Sequence, residues 1–373
     1  MKATERLHDA GQSIWLDNIT RGLIASGTLA RYQRELSVTG LTSNPTIFEH
    51  AVANGSDYDA AIREKTAAGK TGEALFFELA LDDLRHAADL FRPAHEATKR
   101  VDGWVSLEVS PTLAYDTAGS LAAAKRLSAA GDRPNLFIKI PGTPEGVPAI
   151  EEAIFAGVPI NVTLLFSCEQ YLAAAEAYVR GIERRVAAGL NPHVGSVASL
   201  FVSRWDVAVA GTVPADLDGK LGIAIAKRTY RAYRELLGSD RWLRLLNAGA
   251  RSQRLLWAST GTKDPTMSDL LYVTALAAPH SINTMPEKTL TALADHGDLG
   301  PMLPHDGGDA EEVLAQFARA GVDVDALAVR LQREGARAFV DSWTQLLGCI
   351  DRKSAALTEG EKARPAAVPA AHP

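Results

Sequence analysis

The chain has 373 residues, of which 46% are hydrophobic and 23% charged, with a formal net charge of -6. That composition supplies a large core, and mild acidity without blocks of one sign lacks the basic footprint of a nucleic-acid binder. Cys168 and Cys349 stand far apart in no metal-ligand spacing, which argues against a disulfide framework or zinc site and suits a reducing cytoplasm. The polar N-terminus has no signal-peptide core, and no apolar run is long enough to span a bilayer.

Ser13–Asp17 reads as a short apolar strand ending in a carboxylate, followed by a helix over 21–34. The second strand, 38–43, is closed by the turn signal Asn44-Pro45. Residues 47–100 read as mostly helical, with Leu75, Leu79, Leu84 and Leu90 among the apolar positions of an amphipathic stretch. This is longer than one strand-to-helix connection needs and predicts extra helices inserted into a single domain. A third strand spans 104–109, and a helix over 115–130 is ended by Gly131. The fourth strand is Leu136–Pro141, after which Thr143-Pro144 predicts an N-cap and first-turn proline for a helix to about 157. The fifth strand covers 159–165. Ser167 with Gln170 forms a capping box before a helix that carries Tyr171, Tyr178, Ile182 and Val186 and stops at Gly189.

The sixth strand is 194–202, followed by a long helical region over 220–246. The seventh is 254–260, with Asp264-Pro265 predicting another cap and first-turn proline. The eighth is 280–285, with a helix starting at Pro286 and further helices over 310–347. Residues 351–373, rich in Ala, Pro, Lys and Glu, read as a flexible tail beyond a domain spanning 1–350. Eight short strands alternating with helices predict an α/β fold, a closed (β/α)8 TIM barrel of one domain. The rival, a doubly wound open sheet, is weakened by the strand count and by the lack of a G-x-G-x-x-G turn.

Lys139 interrupts the apolar run Leu-Phe-Ile-Lys-Ile-Pro. A lysine is almost never buried without a partner or a task. Desolvation disfavours its charged form, and a neutral lysine amine attacks carbonyl carbon. Taken alone, it better suits a lysine snorkelling from a strand end. In this fold, however, active sites form at the C-terminal strand ends. Here those ends carry Asp17, Asn44, Glu108, Lys139, Asn161 with Thr163, Ser199 with Arg204, and Ser259 with Lys263. Each has a plain alternative: a helix cap for Asp17, a turn for Asn44, ordinary strand-end serines, a surface ion pair for Arg204. Parity sharpens the reading. Side chains two apart share a face, so Ser106 with Glu108, Phe137 with Lys139, and Asn161 with Thr163 point one way. Val105, Leu107 and Val109, Ile138 and Ile140, and Ile160, Val162 and Leu164 point the other, toward outer helices.

With those residues in view, the chain resembles transaldolase through residues 13 to about 350. The matching motifs are Leu-Thr-Ser-Asn-Pro-Thr (41–46), Ser-Leu-Glu-Val (106–109), Phe-Ile-Lys-Ile-Pro (137–141), Asn-Val-Thr-Leu-Leu-Phe-Ser (161–167) and Ala-Ser-Thr-Gly-Thr-Lys (258–263). Its length and its seventh strand are similar to the longer bacterial subgroup. The resemblance implies a class I aldolase-type barrel. Such an enzyme moves a dihydroxyacetone unit from a ketose phosphate (sedoheptulose 7-phosphate or fructose 6-phosphate) to an aldose phosphate (glyceraldehyde 3-phosphate or erythrose 4-phosphate) in the pentose phosphate pathway.

By that resemblance Lys139 is the Schiff-base nucleophile, Glu108 works through a water on the carbinolamine, Thr163 positions that water, and Asp17 takes the donor hydroxyl proton. Asn44 and Asn161 hold hydroxyls of the three-carbon unit, and Ser199, Arg204 and Ser259 bind phosphate. Shorter family members carry an arginine two residues after the serine of the seventh strand. Gly261 stands there in this chain, which leaves Lys263 as the second cation. The iminium itself is the electron sink, so no cofactor or metal is required, and the partners are small sugar phosphates rather than nucleic acid or membrane. The amphipathic pattern fits helices packed on the barrel or on a second subunit equally, so oligomeric state is left open. An alternative is a fructose-6-phosphate aldolase using the same lysine, with water in place of an acceptor; the Asp17 and Glu108 pair favours transfer. A silent scaffold barrel would predict loss of Lys139 or its carboxylates.

Overall fold

In the computed structural model, which describes residues 1–362, eight parallel strands close in sequence order into a barrel. They are β1 Ser13–Asp17, β2 Val38–Thr42, β3 Val105–Glu108, β4 Leu136–Pro141, β5 Ile160–Leu165, β6 Ser196–Phe201, β7 Arg254–Ala258 and β8 Ile282–Met285. The predicted (β/α)8 architecture is therefore the observed one. The strands match the predicted segments within about two residues at each end, as expected for boundaries read from local pattern.

The alternation of side chains explains how the barrel is filled. Trp15, Phe137, Val197, Leu256 and Ile282 belong to one buried cluster. Each lies two residues before a rim position: Asp17, Lys139, Ser199, Ala258 and Thr284. The interior is thus an apolar plug with a mostly polar layer above it. Gly40 occupies the plug level on β2, where an added Cβ would lie 2.5 Å from the Trp15 indole, so a side chain there would displace the ring. Phe137 stacks on Trp104 with centroids 4.0 Å apart. The opposite face of each strand, including Val105, Leu107, Ile138, Ile140, Ile160 and Val162, packs in the second buried cluster, with the helices.

Leu164 departs from its predicted face. Its φ is 58°, the β5–β6 register shifts between Val162 and Leu165, and Leu164 joins the interior cluster. A bulge of this kind reverses parity locally.

Several helices differ from the sequence reading. Residues 21–34 are not one helix but two, Arg21–Ala25 and Thr28–Leu36, because Gly27 takes a left-handed φ of 73°. The helix before β4 runs through Gly131, and Asp132 takes the left-handed cap position. Thr143 does accept a hydrogen bond from Gly146 N, but the helix starts at Gly146, past Pro144. Asp264 makes a turn with Thr266 instead of a cap, and the next helix starts only at Leu271. A further N-terminal helix, Ala3–Asp9, is too short to show periodicity in sequence. The Ser167–Gln170 capping box is present as predicted.

The inserted helices, Pro45–Asn54, Asp59–Ala67 and Gly72–Ala97, stay within the one domain. They dock on the last helix, Val324–Lys362, through Trp343, which meets Phe76 edge-on at 4.8 Å while Phe76 meets Phe48 at 5.3 Å. That last helix continues well past 347 and through part of the segment predicted as tail; residues 363–373 of that segment lie outside the described residues. Buried Gln332 on the same helix donates to the carbonyls of Gly142 (2.9 Å) and Leu164 (3.0 Å), fastening the helix over the C-terminal rim. Among the described residues, no helix is long and apolar enough to cross a membrane.

Candidate active site

A cavity of about 190 Å³ opens at the C-terminal rim, and eight of the ten predicted site residues line it: Asp17, Asn44, Lys139, Thr163, Ser199, Arg204, Ser259 and Lys263. The other two, Glu108 and Asn161, are buried directly behind that wall. The strand register is what brings them together, since Glu108 pairs with Lys139 across β3–β4 and Lys139 with Asn161 across β4–β5.

Lys139 is 6% exposed. Its Nζ donates to the Ser43 carbonyl at 3.0 Å and lies 3.1 Å from Glu108 Oε2. Apart from that ion pair neither buried Glu108 oxygen has a hydrogen-bond partner, and the Thr163 hydroxyl is likewise buried and unpartnered. Burial pushes the Glu108 carboxyl above its ordinary range, against the pull of the Lys139 charge. Asp17 is also raised by burial, but it is the better solvated of the two by the protein. It accepts from Thr42 Oγ1 at 2.8 Å and Asn44 Nδ2 at 3.4 Å, and Lys139 and Lys263 oppose the rise. The two carboxyls thus occupy different environments around one amine.

Asn44 combines the plain reading with the functional one. Its Oδ1 caps the helix Pro45–Asn54 by accepting from Ile47 N, while its Nδ2 reaches Asp17. Asn161 is fixed in a relay in which Ser199 Oγ donates to its Oδ1 at 2.7 Å and its Nδ2 donates to Ser106 Oγ at 3.2 Å.

Arg204 follows β6 and has no carboxylate partner among the described residues. Its guanidinium lies 5.3 Å from the Phe201 ring centroid and 5.9 Å from that of Phe339. Ser259 has a left-handed φ of 56°, which ends β7 two residues earlier than predicted, and its hydroxyl meets Ser203 Oγ at 2.8 Å. Strain of this kind in a residue with a side chain is concentrated at functional sites. Lys263 is exposed on the loop beyond and makes no ion pair among the described residues.

Among the parts of the wall that sequence reasoning missed are Thr42, Thr284, Phe201 and Phe339. Thr284 gives β8 the polar rim group that the sequence reading did not find there, and its hydroxyl meets that of Thr42 at 2.6 Å. Parity from Ile282 would have found it. Nothing local signals Phe339, which arrives on the final helix.

A closed (β/α)8 barrel with a lysine amine, two carboxyls and an unpaired guanidinium facing one rim cavity defines an α/β-barrel enzyme equipped for carbonyl chemistry on an anionic substrate. Residues 14–350 match the family model described as transaldolase/fructose-6-phosphate aldolase, and the chain belongs to that family. Among curated relatives, the chain is similar to the transaldolase of an Arthrobacter species, at 45% identity over 93% of this chain and 96% of the relative. It is similar to that of Saccharopolyspora erythraea at 46% identity over 93% and 96%, and to that of Thiobacillus denitrificans at 45% over 94% and 100%.

Proposed function

We propose that this protein is a transaldolase, a transferase that carries a dihydroxyacetone unit from a ketose phosphate to an aldose phosphate in the pentose phosphate pathway, in the cytoplasm. The observation that carries the reading is the buried Lys139 amine, 3.1 Å from one carboxyl and facing a second across a cavity with a cationic rim. The compartment is supported by two free cysteines, both buried, which suit a reducing environment.

The amine of Lys139 attacks the donor ketone carbon, giving a carbinolamine. Glu108, whose environment favours the protonated form, supplies the proton with which water leaves, and the iminium forms. Thr163 and Glu108, both with unused hydrogen-bonding capacity, suit the holding of that water. Asp17, held ionised more readily by its two donors, accepts the proton of the donor hydroxyl as the carbon–carbon bond breaks. The electron pair passes into the iminium, leaving an enamine that attacks the aldose carbonyl. The steps then run in reverse. Asn44 and Asn161 suit sugar hydroxyls because an amide both donates and accepts without charge. The fork of Arg204, with Ser199, Ser259 and Lys263, suits the terminal phosphate.

Borohydride reduction in the presence of fructose 6-phosphate, followed by peptide mass mapping, tests the nucleophile. A dihydroxyacetone-derived adduct is expected on the peptide containing Lys139, and an adduct elsewhere overturns the assignment. Assay of fructose 6-phosphate with and without an aldose acceptor tests transfer. Turnover that ignores the acceptor would mean aldolase activity instead.

A further inference from the structure

At the opposite end of the barrel lies a second cavity, of about 120 Å³. Its floor includes Trp104 and Phe137, on the underside of the plug, and its rim carries Arg100, Arg251 and Arg254. In a chain of net charge -6, three guanidiniums around one small cavity need a reason. Asp102 answers only part of it. It is buried, accepts from Ser13 Oγ and Trp15 Nε1, and lies 3.8 Å from Arg254 Nη1. Arg100 and Arg251 have no carboxylate partner among the described residues.

The arginines are held by a loop that is itself strained. Lys99 and Arg100 take left-handed φ values of 52° and 68°, a costly conformation for residues with side chains. The carbonyls so presented fix the cavity wall: Lys99 O accepts from Arg251 Nη2, Arg100 O from Trp104 Nε1, and Val101 O from Arg254 Nη1. Arg251 Nε also donates to His193 Nε2 at 3.0 Å. His95 bonds the Asp102 carbonyl through Nδ1, and its Nε2 is buried without a partner. Burial and the nearby arginines hold both imidazoles toward the neutral form.

We propose that this cavity binds a phosphoryl-type oxyanion, with Arg100 and Arg251 as its principal ligands and Arg254 behind them. Guanidinium forks match tetrahedral oxyanions in geometry as well as charge. The site is distinct from the catalytic mouth, which lies at the other rim, and it does not depend on the function proposed above.

The test uses the full chain and the imidazole resonances of His193 and His95, which lie only at this end of the barrel. They are assigned by loss of signal in His193→Gln and His95→Gln. Titration with inorganic phosphate is expected to move the His193 signal saturably, with no such change in sodium chloride of matched ionic strength. In Arg100→Gln, where the exposed side chain changes without new backbone demand, the midpoint should rise about fivefold or more. Glycerol 3-phosphate, run in parallel, separates a phosphate ester, which would bind more tightly than phosphate, from free phosphate, which would bind at least as well as the ester. No shift with either anion, the same drift in chloride, or an unchanged midpoint in a folded Arg100→Gln protein would overturn the proposal.

Discussion

Glu108→Gln separates what the carboxyl does for chemistry from what it does for the fold. The amide keeps the size of the side chain, and Lys139 retains its bond to the Ser43 carbonyl. At 3.1 Å the lost attraction would be about 5 kcal/mol at an effective dielectric constant near 20. The carboxyl nonetheless sits above its ordinary value of 4.5, so desolvation outweighs that attraction in the folded state. A folded-state value above the unfolded one means that the native protein binds the extra proton. The stability it confers is complete below pH 4.5 and is lost as pH rises through the folded value. Near neutral pH keeping this carboxyl in its buried site therefore costs stability, whether through proton uptake or through desolvation of the ion, and the glutamine variant should melt at or above the temperature of the parent. Its turnover should fall ~10²- to 10⁴-fold, the usual contribution of a general acid–base group. The assays are coupled steady-state turnover and thermal unfolding at pH 7.5, with borohydride trapping to show that Lys139 still reaches the ketone. Turnover within about fivefold of the parent would remove Glu108 from the mechanism. A markedly lower melting temperature would refute the claim that desolvation dominates the pair.

Lys263→Ala should raise KM for a phosphorylated donor about threefold or more with kcat little changed, as for a group that binds ground and transition states alike; a change within about twofold excludes it as a phosphate ligand. Gln332→Ala should destabilise by about 2 kcal/mol, because two buried carbonyls lose their donor. It should also raise KM, since the helix that carries Phe339 into the cavity is loosened; urea unfolding and donor kinetics check the two effects, and unchanged KM would show that Gln332 serves stability alone. Burial pushes Asp206 up to about 6 from 3.8 even though it accepts from Leu221 N, Gly222 N and Tyr272 Oη. Its proton-linked contribution is complete below about pH 4 and is lost by pH 6 and above, worth ~3 kcal/mol. In Asp206→Asn the drop in unfolding free energy between pH 4.5 and pH 7 should shrink by about 2 kcal/mol, the part of that contribution lost within this window, and an unchanged drop would refute the assignment.

The sequence by itself determined the strands, their faces and the residue types at the rim. Those signals are local: a strand is short and repeats every two residues, and a lysine inside Leu-Phe-Ile-Lys-Ile-Pro needs a partner wherever it lies. Parity alone put Glu108, Lys139, Asn161 and Thr163 on the inner face, and it failed at Leu164, where a positive φ breaks the repeat. Helix starts read from Thr143-Pro144 and Asp264-Pro265 fell short because turn and cap chemistry share the same residues. Tertiary structure decided the rest. Register across β3, β4 and β5 set Glu108, Lys139 and Asn161 side by side, and closure of β8 onto β1 delivered Thr284 to Thr42. Docking of the final helix supplied Gln332 and Phe339, and the turn at Lys99–Arg100 gathered arginines from distant segments at the far end. Shear around a closed sheet and the seating of a helix over its rim depend on contacts between residues far apart in the chain, which no local repeat encodes.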